Sequence, residues 1–175
     1  MITASAQAFY IMSAIALIAA LLAVTRRNAI HALMYMVLLF LALGGVFYVL
    51  GAPFAAVVQV IIYAGAIMVL FVFAIMVLNP PVGEMPRGWR GVAAAAGPAV
   101  LALALVAALT RASLQAPAAA LATTVVGPKQ VAETLFGTYA IGVELASMLL
   151  LAGLIGAYHL GRRATTKSSH EEGCE

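Results

Sequence analysis

The polar residues of this chain come in short clusters, and between them lie five long apolar runs, at about residues 4–24, 29–50, 54–78, 92–109 and 139–160. A helix rises roughly 1.5 Å per residue and the hydrocarbon core of a bilayer is about 30 Å thick, so runs of this length suit membrane crossing. The pattern predicts an all-α integral membrane protein with five transmembrane helices. These make up one membrane domain over residues 1–163, followed by a disordered tail at 164–175 that is rich in Ser, Thr and Glu. The interruptions are of the kinds that end helices. Thr25–Asn28 is short enough to fold the first two spans into an antiparallel hairpin. Gly51-Ala52-Pro53 makes a tight uncharged turn, and proline suits the first turn of a helix, where N–H groups are spare. Asn79-Pro80-Pro81 ends the third span, because proline lacks the donor and clashes with the preceding turn. A loop then runs to Gly91, with Trp89 as an anchor at headgroup level. Thr110 to Thr138 is the one long connection, alanine-rich, with a short helix around Lys129–Phe136.

The third span breaks its own apolar pattern. Residues 54–78 carry no charge, yet Gln59 and Tyr63 stand four apart, where an amide and a phenol share one helix face. Gly65 follows, flanked by Ala64 and Ala66, roughly 16 Å into the span and so near mid-membrane. Glycine there costs about 1 kcal/mol of helix propensity against alanine. An amide turned to hydrocarbon would cost several kcal/mol, so this face should meet protein or water. Two readings stand. Small residues let helices approach closely, which makes a packing seam. Alternatively the segment is a deformable helix, since wide-turn bulges occur mostly at functional sites.

Composition and charge refine this picture. With 65% hydrophobic and 9% charged residues the chain is no ordinary soluble domain, where about a quarter of residues are charged. Its net charge of +3 is not a nucleic-acid signature, because the basic residues sit in short clusters between spans. Those clusters set topology instead. Arg26 and Arg27, Arg87 and Arg90, and Arg162, Arg163 and Lys167 fall on one side, against Arg111 and Lys129 on the other. The positive-inside rule then puts the N-terminus outside and the C-terminus in the cytoplasm. Nothing basic precedes the first span, so it reads as a retained helix rather than a cleaved signal.

Glu144 is the only carboxylate at membrane depth, one turn inside the fifth span. It is either an interfacial acid, favoured by the positive end of the helix dipole, or one link in a polar path with Gln59 and Tyr63. Ala152, Gly153 and Gly156 give the same span a close-packing edge. His31, at the entrance of the second span, reads as an interfacial histidine with a local hydrogen bond. Cys174 is a lone thiol in the tail and builds neither a disulfide framework nor a metal site. No nucleophile–base–orienter set, phosphate-binding glycine loop or metal-spaced histidine pair occurs, so no catalytic, cofactor or metal site is expected in this chain alone. The spans also lack the paired halves usual in secondary transporters. The chain reads as one part of something larger.

Four stretches carry a family resemblance: NAIHALMY at Asn28–Tyr35, VFYVLGAPFAA at Val46–Ala56, VIIYAGAIMVLFVFAIMVLN at Val60–Asn79 and VELASMLLLAGLIGAYHLGRR at Val143–Arg163. Together, and in this order, they resemble subunit J of the bacterial NADH:quinone oxidoreductases, respiratory complex I. The resemblance implies a small, multi-pass, cofactor-free subunit of a proton-translocating enzyme in the bacterial cytoplasmic (inner) membrane. NADH, FMN, iron–sulfur clusters and quinone would belong to partner subunits. Its neighbours would be membrane lipid and the counterparts of subunits A, H, K and N. It further implies a wide-turn bulge in the third helix at Tyr63–Gly65, next to Ala66, whose forming and relaxing gates a hydrated path between the quinone site and the antiporter-like subunits. Some relatives have glutamate where this chain has Gln59, and an amide cannot carry a proton as a carboxylate does. Alternative readings are a purely structural subunit of the same or a sister hydrogenase- or antiporter-like complex, and a free-standing small transporter.

Overall fold

The computed structural model describes residues 2–26, 28–78, 89–115 and 126–161. The break expected at Asn79-Pro80-Pro81, the loop that carries Arg87, and the tail beyond Gly161 lie outside them. Seven α-helices and one π-helical segment occur among the described residues: α1 (Ile2–Thr25), α2 (Ala29–Val49), α3 (Pro53–Val58), the π segment (Gln59–Ile67), α4 (Met68–Leu78), α5 (Trp89–Gln115), α6 (Pro128–Phe136) and α7 (Ala140–Gly161). α3, the π segment and α4 follow one another without a break as the third span, Pro53–Leu78. Five helical rods are long and apolar enough to cross a membrane. The chain divides into two compact units, Met1–Gly127 and Pro128–Glu175.

In the first unit, local chemistry sets the turns. The hydroxyl of Thr25 donates to the carbonyl of Leu21, which satisfies the last polar side chain of α1 inside its own helix. Asn28 caps α2: its Oδ1 accepts from the backbone N–H of Ile30 at 3.0 Å. At the other end of α2 the chain closes a two-bond glycine cap. The N–H of Gly51 donates to the carbonyl of Tyr48, and that of Ala52 to Phe47. This geometry needs a left-handed residue, and Gly51 supplies it with φ of 80°. Pro53 then opens α3 where no intrahelical donor is required. Val126, beyond the long connection, donates its N–H to the Gly51 carbonyl at 3.0 Å and so ties the end of that connection to the same turn.

The core of this unit lies where α1, α2 and α5 meet. α1 contributes Met12, Ile15 and Ala16, α2 contributes Leu38, Ala42, Val46 and Val49, and α5 contributes Leu105 and Ala108. These residues recur at spacings of three and four, one stripe per helix. In lipid such packing is driven by close van der Waals fit rather than by removal from water, so small residues set the distances. Gly45 admits the Met12 side chain, and Gly97 of α5 lies against the Tyr35 hydroxyl.

α5 is longer at both ends than the apolar run predicts. It begins at Trp89, within the expected loop, and continues to Gln115 past Thr110 and Arg111. No glycine or proline interrupts the far extension before Pro117, and the Thr110 hydroxyl is satisfied within the helix by the Val106 carbonyl, at 2.7 Å. Pro98 lies inside α5 and is buried.

In the second unit α6 is a short exposed helix carrying an i,i+4 pair, Lys129 to Glu133 at 3.8 Å. The Gly137 N–H donates to the Glu133 carbonyl and that of Tyr139 to Thr134, which ends α6 and leads into α7. None of the residues of α7 is buried. A Cβ added at Gly153 or Gly156 would meet nothing within 4 Å.

Candidate functional site

The third span carries the polar interruption read from the sequence, and its winding changes there. From Gln59 through Ile67 the backbone is π-helical, with α-helix on either side. Tyr63, Ala64, Gly65 and Ala66 all lie within it. A π turn holds an extra residue and gives poorer side-chain packing than an α turn, so it persists only where its surroundings select it. α2 is the neighbouring helix of the first unit that packs against this segment.

Gln59 opens the wide winding and is 8% exposed, the buried polar side chain among the described residues. Tyr63, one turn on, is 44% exposed and sets its ring against Phe40 of α2, centroids 5.3 Å apart and planes at 46°. The two side chains expected on one face are therefore unequal: the amide is enclosed, while the phenol packs by its ring and leaves part of its surface open. Gly65 and Ala66 are exposed and Ala64 partly so. A Cβ at Gly65 would meet only the Val60 carbonyl oxygen, at 3.4 Å, so a methyl fits there. Below the wide turn Met68 is 1% exposed, while Val69 through Phe73 are all exposed. Gly44 of α2 lets the third span come close, since a Cβ there would lie 3.1 Å from Val60 Cγ2.

Glu144 belongs to the second unit. It is exposed, its backbone carbonyl accepts from the Ser147 hydroxyl at 2.7 Å, and no ion pair to its carboxylate occurs among the described residues. His31 departs from its expected local hydrogen bond: Nδ1 is buried without a partner. It lies one turn before Tyr35, which is fully buried and whose hydroxyl accepts from the Arg26 guanidinium at 3.5 Å. Sequence reasoning gave Arg26 a topological role only and did not single out Tyr35 or Gly97. The i,i+4 spacing of His31 and Tyr35 was the available signal. Among the described residues no group of three or more His, Cys, Asp or Glu is placed to hold a metal ion.

Comparison with known proteins gives the setting for this arrangement. The model of the family NADH-ubiquinone/plastoquinone oxidoreductase chain 6 matches residues 19–160. The chain is 46% identical over 159 residues to NADH-quinone oxidoreductase subunit J of Pseudomonas aeruginosa, covering 89% of this chain and 96% of that one. Against subunit J of Escherichia coli K12 the identity is 46% over 157 residues, 89% of this chain and 85% of the other. Subunit J of Buchnera aphidicola from Schizaphis graminum is 37% identical over 164 residues, 88% and 96% of the two chains. A five-span helical chain with this match along most of its length belongs to the NADH-ubiquinone/plastoquinone oxidoreductase chain 6 family.

Proposed function

We propose that this chain, a membrane-arm subunit of NADH-quinone oxidoreductase, helps couple quinone reduction to proton transport by switching the winding of its third span around Gly65. The observation that carries this reading is the π-helical stretch Gln59–Ile67 in the span that encloses a polar side chain. Converting a wide turn to an α turn releases one residue from the winding. Everything beyond it then rotates by about one residue's angle, roughly 100°. In this chain that would carry Met68 out of its buried position and bring another side of α4 inward. Tyr63, Ala64, Gly65 and Ala66 form the deformable turn. Gln59 and Tyr63 supply groups that can order water, with Glu144 anchoring the start of α7 rather than relaying protons. The exposed Val69–Phe73 face and the open glycine edge of α7 support neighbours in a larger assembly.

The same reading assigns NADH, FMN, iron–sulfur clusters and quinone to partner subunits, and the counterparts of subunits A, H, K and N to the surrounding positions. It places the assembly in the bacterial cytoplasmic membrane, with the N-terminus of this chain outside, because seven of its nine basic residues then face the cytoplasm.

Gly65→Val tests the proposal. The branched side chain is stiff at χ1 and its Cβ stands beside the Val60 carbonyl oxygen, so a change of winding at this turn is disfavoured. The expected result is an assembled complex whose proton pumping and quinone-linked turnover both fall several-fold. A variant complex that assembles and pumps like the parent contradicts the gate and leaves a purely structural subunit.

A further inference from the structure

α6 has nine residues, and at about 100° per residue its side chains sort into two faces. Val131, Leu135, Ala132 and Phe136 fall within an arc of roughly 140°, and Lys129, Glu133, Gln130 and Thr134 take the opposite one. The polar face is answered within the helix. Lys129 pairs with Glu133 at 3.8 Å, and the Thr134 hydroxyl donates to the Gln130 carbonyl at 2.8 Å. Within its own unit the apolar face stays open: Val131 is half-buried, Leu135 is 41% exposed and Phe136 72%. A helix this short is marginal in water by itself, so that face needs cover.

Depth decides what the cover is. α7 has 22 residues, roughly 33 Å of helix, against a hydrocarbon core of about 30 Å. It has almost no length to spare, so Ala140 lies where the span enters the bilayer. Only Gly137, Thr138 and Tyr139 separate it from α6. The corner is tight: Gly137 and Tyr139 donate their N–H groups to the carbonyls of Glu133 and Thr134, and a Cβ at Gly137 would lie 2.6 Å from the Glu133 carbonyl oxygen. The end of α6 is thus held at headgroup depth. Ahead of its start, Val126 is hydrogen-bonded to the Gly51 carbonyl, in the turn between the second and third spans. Two crossings separate that turn from α7, which puts both at the same face of the membrane. A helix roughly 14 Å long, with each end kept at that level, lies along the surface. Phe136, Tyr139 and Ile141, each more than half exposed, carry apolar surface on from α6 to the first turn of α7, at the depth where an aromatic belt forms.

We infer that α6 is an interfacial helix lying on the membrane surface, with the face of Val131, Leu135 and Phe136 sunk among the lipids at the top of the acyl chains and Lys129 and Glu133 toward water. Its partner is the lipid surface itself, of either charge, because the polar face carries one cation and one anion that already pair. A sister subunit laid over α6 would find no unanswered group among Lys129, Glu133 and Thr134 to fix its position. The inference rests on α7 as a span and is independent of the winding of the third.

The test uses the assembled complex in nanodiscs of phosphatidylcholine and, separately, of phosphatidylglycerol. p-Benzoylphenylalanine is placed at Leu135, Phe136, Gln130 or Glu133, one position at a time, all of them exposed. After illumination, peptide mass spectrometry separates phospholipid adducts from cross-links to protein. Positions 135 and 136 should give phospholipid adducts in both lipids, several-fold above positions 130 and 133. Ala132, exposed on the apolar face, takes the place of either position whose variant complex does not assemble. Cross-links from the apolar positions to a sister subunit, in place of lipid adducts, would overturn the inference. Equal lipid adducts at all positions, adducts at none, or adducts in phosphatidylglycerol alone would overturn it too.

Discussion

At the scale of single residues, Gly97 has the closest neighbour of the described glycines in the first unit, the Tyr35 hydroxyl. A Cβ at position 97 would lie 2.2 Å from the Tyr35 hydroxyl oxygen but 3.5 Å from Cζ. The ring is fully buried and cannot swing aside, so Gly97→Ala forces α2 and α5 apart. Overpacking of this kind costs about 1–3 kcal/mol. The expected outcome is a lower thermal-inactivation temperature for the assembled complex. Tyr35→Phe removes the oxygen and leaves Cζ at an ordinary contact distance, so the double variant Gly97→Ala/Tyr35→Phe should recover most of the loss. A double variant no better than Gly97→Ala alone would mean that the hydroxyl is not what fills the space. Gly45 offers a contrast. A Cβ there meets Met12 Sδ at 2.7 Å, but methionine is flexible and can move, so Gly45→Ala should cost less in the same assay.

At the scale of helices, Glu144 belongs to α7, where it lies beyond the first turn and is exposed. The benefit of the helix dipole falls off within the first turn, so an anchoring role here rests on headgroups or a basic partner rather than on the helix start. Glu144→Gln should therefore leave most quinone-linked turnover intact in the assembled complex, and a collapse of pumping with assembly preserved would assign the carboxylate a relay role. The helices themselves were legible in the sequence because a bilayer demands long uninterrupted apolar runs, and Gly51, Pro53 and Asn28 mark their ends by mechanisms that act locally. The inward sides were not legible. A span that faces lipid on one side and protein on the other is apolar all round, so nothing distinguishes buried Met12 from exposed Leu17. The end of α5 at Gln115 was missed for a related reason: the expected apolar run stops at Leu109, whereas helix propensity without a glycine or proline carries the winding on.

At the scale of the whole molecule, the first unit is a packed set of helices whose third span turns much of its surface outward, and α7 in the second unit buries none of its residues. Outward apolar surface of this extent suits a chain that is completed by lipid and sister subunits, as membership of the oxidoreductase family requires. The polar interruption at Gln59, Tyr63 and Gly65 was visible in the sequence as a break in pattern. The wide winding was not readable from propensity, which ranks residues for α-helix only. It stood as one of two readings of the residues, which the family resemblance then favoured, and the segment from Gln59 to Ile67 is π-helical in the structure. Electron cryomicroscopy of the assembled complex, frozen during turnover and at rest, would read the winding of this segment directly. The account predicts two populations, one with i→i+5 and one with i→i+4 hydrogen bonds over residues 59–67, with the Met68–Leu78 helix turned by roughly 100° between them. A single winding in every population, with Met68 held in one position throughout turnover, would contradict it.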